Sequence, residues 1–511
     1  MKAKLLVILL SLPQFAVAET PLSAIGWLNK NREEALNRPA IQGFEQEPAT
    51  ATEATAPSVA VSTLTETRVD AVGLLPPSVT GFPLGIWHES TSSDLVRLLS
   101  DLNVSKNPAI QSLLFRLLLA EGHAPYDSDE NYLFLLARIE TLINYGAVEP
   151  ALALLERAAP LPAQLVPSLF DISMLSEALL PACDQVIQLG SAYPNDAERI
   201  FCTARKGDWM TAHLMLEATS ALNVLDKRQD QLLHIFLGAY DYEENIEELP
   251  PPLKSSPLEF RLYEAIGKPL ATSSLPLAFA VNDLSGNYGW KAQLEAADRL
   301  KTSGALADNR YLGIFTARDP AASGGIWDKV SLIQSLDKAI EEKDVTRAEE
   351  ALSELWARPD HKALIGPVAR LFSKSLLSME LSQQGEKRAE KLSFLSPQYK
   401  LIALRSTPVT PKEALLKATA LNDFSQYSPN SVVEEALFEA FKTSRVPYFV
   451  TALMEQHKLG ETILTAIIQF EKGSAGDMQD LIDSIATLRL VGLEETARRA
   501  ALFLLLVQND E

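Results

Sequence analysis

The chain has 511 residues, with 66 acidic against 46 basic side chains and a formal net charge of −20. A surface of that sign repels nucleic-acid phosphates and anionic lipid headgroups, so neither is an expected partner. The length suffices for two or three separate cores or for one long helical array.

Residues 1–18 carry the pattern of an export signal. Lys2 and Lys4 precede the apolar run Leu5 to Leu12, and Ala16 and Ala18 put small side chains where signal peptidase needs them, just before Glu19. The apolar run is too short for a bilayer span, which takes ~20 residues. The expectation is a periplasmic protein cut after Ala18, with no integral membrane span.

Residues 19–36 hold a small apolar island. Ile25, Trp27 and Leu28 are candidates for a motif that binds a protein partner, and the same side chains are equally suited to folding back on the protein's own surface. Residues 37–70 are rich in Ala, Thr, Glu, Ser and Pro and poor in aromatics, which is the composition of a disordered linker. Residues 71–91 differ again. Pro76, Pro77 and Pro83 stand with several glycines among apolar side chains, so an extended, non-helical strap packed on the first helices is expected there.

From Asp94 onward the pattern is helix, short break, helix, with no alternating strand runs. The expected class is all-α: stacked antiparallel helical hairpins, an α-α superhelix. One set spans 92–240 and a second 258–511, separated by the acidic, proline-rich segment 241–257. A lesser break falls at Asp319 to Gly325. The hairpin turns share a pattern. Gly146 is followed by Ala151 and Ala158, Gly207-Asp208-Trp209 by Ala212, Asp344 by Ala348, Gly385 by Ala389, and Gly492 by Ala497. Glycine ends the first helix in a left-handed cap, and a small residue shortly after lets the second helix approach closely.

These turns resemble the helical hairpins of tetratricopeptide-like proteins, with the Gly207-Asp208-Trp209 turn and the series Gly146, Ala151, Ala158, Pro162 closest to that signature. The resemblance implies an architecture and no ligand-binding residue set. The segments Gly289 to Leu300 and Ala321 to Trp327, and the region around Gly492, are also similar to uncharacterised exported proteins of alphaproteobacteria.

Cys183 and Cys202 are the only cysteines. They flank a turn near residues 192 and 193, with a helix end at Gly190 and an N-cap at Asp196. Positions equidistant from an antiparallel turn face each other, so the pair can reach the ~5.5 Å separation of a disulfide. Two buried apolar thiols are the alternative.

Six histidines are present, and none forms a zinc-protease pair; no Cys-x-x-Cys, nucleophile elbow or phosphate-cradling loop occurs. No metal, cofactor or catalytic residue is therefore assigned. His213 and His234 fall on apolar helical faces, where packing is the expected role. Trp87, Trp209, Trp290 and Trp327 either wedge hairpins together or line a sugar site. The expected function is a non-catalytic periplasmic scaffold that binds protein partners on a helical-repeat surface. The alternative is a cell-wall enzyme, or its accessory, with a superhelical domain.

Overall fold

The computed structural model of the chain describes residues 69–508, apart from 104, 105, 177, 178, 239–248, 251, 253, 286, 287, 426 and 444. The segment read as an export signal, the island with Ile25, Trp27 and Leu28, the segment read as a linker up to residue 68 and most of the acidic segment lie outside the described residues. Among those described there are 25 α-helices and no strand. A single isolated parallel bridge joins Leu75 to Ala120.

Local chemistry starts many of the helices. The Thr91 hydroxyl accepts from the Asp94 amide, and Asp208, Asp344 and Asp477 accept in the same way from Thr211, Arg347 and Asp480. Ser256 with Glu259 and Thr410 with Glu413 form reciprocal capping boxes, each followed by proline in the first turn. These side chains satisfy amides that a helix start leaves without partners.

The buried apolar residues form two clusters. The larger runs from Val72 to Val507 and draws on the first and the last helices alike. The smaller gathers Val166, Phe170, Cys183, Cys202, Leu216, Leu232, Leu258 and Tyr263. Leu232 and Leu258 lie on opposite sides of 241–257, so the core does not divide at that acidic segment. All described residues belong to one compact unit, 49–511.

Contacts reach well beyond neighbouring hairpins. The Pro108–Leu118 helix packs on the Glu494–Phe503 helix, and the Ser92–Ser100 helix packs on Leu459–Ser474. The Asn107 side-chain amide donates to the Ala500 carbonyl at 3.0 Å, Gln111 to Thr302 at 2.6 Å, and the Ser303 hydroxyl to Tyr145 at 2.7 Å. In a plain solenoid each repeat touches only its neighbours. Here the first helices of the described chain are fastened to the last.

The strap supplies much of that fastening. It differs from the expected extended run in holding one helical turn, Pro77–Thr80, which Pro77 permits because it sits at the first helical position, where no amide donor is needed. Backbone bonds from Leu74 and Leu75 to the Leu119 carbonyl, and from Glu121 to Leu75, lay the strap against the end of the Pro108–Leu118 helix. At Gly73 a Cβ would lie 2.3 Å from the Glu121 nitrogen, so only glycine permits this approach. Further on, the Trp87 ring lies 4.9 Å from Phe134, centroid to centroid, and a Cβ on Gly460 would meet that indole at 2.4 Å. The Gly460 amide donates to the Ile86 carbonyl at 3.1 Å.

Arg138 holds the strap from inside. It is 1% exposed, and its guanidinium donates to the carbonyls of Val72 at 2.8 Å, Leu118 at 2.6 and 2.8 Å, and Ala120 at 3.3 Å. Leu118 ends a helix, where the backbone dipole is negative, so carbonyls stand in for a carboxylate partner. Burial lowers the Arg138 pKa to about 10, which still leaves it charged at neutral pH. Arg138→Met withdraws the donor from three buried carbonyls, each costing ~1–3 kcal/mol, so a loss of about 3 kcal/mol or more is expected in urea unfolding. Arg138→Lys, a point charge without the fork, recovers only part of it. Equal stability of wild type and Arg138→Met contradicts this role.

Candidate functional site

The hairpin residues singled out from the sequence sit at the turns. Gly146, Gly207 and Gly492 have φ of +77°, +94° and +83°, and Ala151, Ala212 and Ala497 are fully buried in the helices that follow. Ala158 is buried at the C-cap of the Val148–Arg157 helix. At Gly146 the tight neighbours are Leu300 and Leu277, so its bareness serves a distant element as well as the turn. Gly385 departs from the pattern. It lies within the first turn of the Gln383–Ser393 helix, capped by Ser382 and pressed against Glu349. Lys343, with φ of +56°, takes the left-handed position before Asp344.

Cys183, on the Leu179–Leu189 helix, and Cys202, on Asp196–Arg205, form a disulfide with Cα atoms 5.0 Å apart. Asn195, one residue before the expected Asp196, is the N-cap. Beside the bridge, Glu198 accepts from the Tyr193 hydroxyl and from the Asn195 amide at 2.6 Å. Burial, helped by the nearby Asp171 charge, raises the Glu198 carboxyl to about 7.

The four tryptophans singled out from the sequence each lie against another aromatic ring. Trp87 is buried, Trp290 is buried with its ring 5.3 Å from Trp327, and Trp209 stands half exposed with its ring 5.6 Å from Phe236. His234 is buried, with Nδ1 2.9 Å from the Asp230 carbonyl, whereas His213 points to solvent rather than into a packed face. Among the described residues, no three His, Cys, Asp or Glu side chains come together as a metal-binding set.

One groove was not legible in the sequence. Three helices build it: Ser92–Ser100, Tyr448–Glu455 and Leu459–Ser474. Pro447 stands at the N-cap position of the middle one without a capping hydrogen bond, and Val450 is the one fully buried residue of that helix. Met454 packs against the core from one side, while Tyr448, Phe449, Ala452 and Leu453 line the gap. Tyr448 is 87% exposed and Phe449 44% exposed, and with Leu98, Ala452 and Leu453 they wall a pocket of about 470 Å³. Arg97, Gln456, Glu461 and Thr465 supply its polar atoms. Glu461 is 5% exposed, and its Oε1 lies 3.1 Å from Lys458 Nζ, which also lies 4.0 Å from Asp94. Arg97 stands between Asp94 and Asp101, at 3.9 and 3.8 Å.

A second apolar face lies on the Trp209–Ala221 helix and the turn after it. Ala212 and Leu216 face the core, while Met210, Leu214, Leu222 and Val224 are all more than half exposed. A chain of this size commonly shows isolated exposed apolar residues, but such runs mark interaction surfaces.

No family model, curated protein or solved structure matches the chain. Among the described residues no helix is long and apolar enough to cross a membrane.

Removing the disulfide with the double change Cys183→Ser and Cys202→Ser is expected to lower stability by about 3 kcal/mol, the loop-closure value for a short loop. Intact-mass measurement of the wild type should show a gain of two hydrogens on reduction. Alkylation of both thiols without reductant contradicts the bridge.

Proposed function

We propose that the chain is a protein-interaction scaffold of the bacterial periplasm, and that the groove under Tyr448 and Phe449 receives a segment of a partner polypeptide. The observation that carries this reading is the helix Tyr448–Glu455, which fully buries Val450 alone and turns two aromatic side chains to solvent over an apolar pocket. Exposed aromatics beside a concave apolar surface are what a partner's anchor residues fill. The exposed face at Met210 and Leu214 adds a second surface, as a scaffold that joins two partners requires. The periplasmic part of the reading is supported by the leader pattern in residues 1–18 and by the disulfide, which suits an oxidising compartment. The stacked-hairpin, tetratricopeptide-like reading of the helices belongs to the same proposal, supported by the glycine turns at 146, 207 and 492.

A photo-crosslinking side chain at position 449, in cells of the source organism, tests it against the same group at Leu404, an exposed residue outside the groove. Adducts are expected from 449 and not from 404, and Ala452→Arg, which fills the groove without emptying the core, should abolish them. No adduct from 449, or release of muropeptides by the purified protein, overturns the scaffold reading.

A further inference from the structure

We infer that the segment entering this groove carries a cationic side chain next to its apolar anchor, and that Glu461 receives the cation. The inference rests on the reading of the groove as a polypeptide site.

Glu461 sits in the first turn of the Leu459–Ser474 helix, on the pocket wall, almost wholly removed from water. A carboxylate can accept about four hydrogen bonds. Its Oε1 faces Lys458 at 3.1 Å, an ion pair that makes no aligned hydrogen bond, and Lys458 divides its charge between Glu461 and Asp94. A buried charge so lightly matched retains acceptor capacity, and Glu461 is among the residues that line the groove. A purely apolar occupant would complete its desolvation without adding a donor, at a cost of about 1–3 kcal/mol or more. An anionic occupant fares worse, because the one cation at the rim, Arg97, already stands between two aspartates. Three carboxylates, Asp94, Asp101 and Glu461, thus surround two cations. The chain's net charge of −20 adds the same bias at long range. Tyr448 and Phe449 offer ring faces that suit both an aliphatic anchor and an approaching ammonium or guanidinium. The trough between two helices over a third fits an amphipathic helix with a basic residue one turn from its anchor.

The test uses the full chain and two fluorescein-labelled amphipathic peptides of one length, one of leucine and lysine and one of leucine and glutamate. Fluorescence anisotropy is followed near physiological salt, where exposed charges are screened beyond ~8 Å. The leucine–lysine peptide should bind and the leucine–glutamate peptide should not. Glu461→Gln should weaken binding at least about tenfold, the scale of one charge-assisted hydrogen bond. Lys458→Gln, which removes the internal competitor, should tighten it. Ala452→Arg should block it. If Ala452→Arg blocks binding while Glu461→Gln and Lys458→Gln leave it unchanged, the assignment to Glu461 fails and the groove reading stands. If the leucine–lysine peptide does not bind, or both peptides bind alike, the inference is overturned.

Discussion

A buried guanidinium resting on the carbonyl end of a helix is the contact from which the rest of this architecture follows. Among the described residues no carboxylate pairs with Arg138; it donates to Leu118, Ala120 and Val72 oxygens instead. That choice joins three elements through one side chain: the Pro108–Leu118 helix, the Leu133–Asn144 helix that carries Arg138, and the strap. The strap then delivers Trp87 to the cleft between Phe134 and Gly460. The device recurs. Arg261 donates to Met174 and Ser176, Arg489 to Ala440 and Thr443, and Gln334 to Phe315 and Arg318, each at the end of another helix. Glycine turns end many of these helices, but side chains from elsewhere satisfy the orphaned carbonyls and so lock one hairpin against another.

The candidate groove is a consequence of that closure. Its walls come from the second helix of the described chain and from two of its last four. The strap, the packing of Ser92–Ser100 on Leu459–Ser474, and the packing of Pro108–Leu118 on Leu459–Ser474 and Glu494–Phe503 bring them together. A binding surface made where the ends of a chain meet is sensitive to changes far from it, because whatever loosens the strap also moves one wall. The Tyr448–Glu455 helix forms the other wall, anchored by the buried Val450 and the partly buried Met454.

Much of the local structure was legible in the sequence. Gly146, Gly207 and Gly492 mark real turns because the left-handed backbone there excludes most other residues, and Ala151, Ala212 and Ala497 mark close helix contacts because size is a local property. The spacing of Cys183 and Cys202 about a turn was readable for the same reason. Other local signals carry two meanings. Pro77 fits a helix breaker and in fact starts a turn of helix; Gly385 fits a turn and in fact accommodates Glu349 inside a helix. The groove and the closure were not legible. They depend on which distant helices meet, and no periodicity in the sequence encodes that Asn107 will face Ala500 or that Gly460 is bare to admit an indole.

Native-state hydrogen exchange is the most direct measure of whether the strap makes the two ends one cooperative unit. Amides of the Pro108–Leu118, Leu133–Asn144 and Leu459–Ser474 helices should share one opening free energy, and Gly460→Ala, which pushes a methyl group into Trp87, should lower all three together. Opening of the Leu459–Ser474 helix on its own, at lower free energy and with the first helices unchanged in Gly460→Ala, would contradict the account.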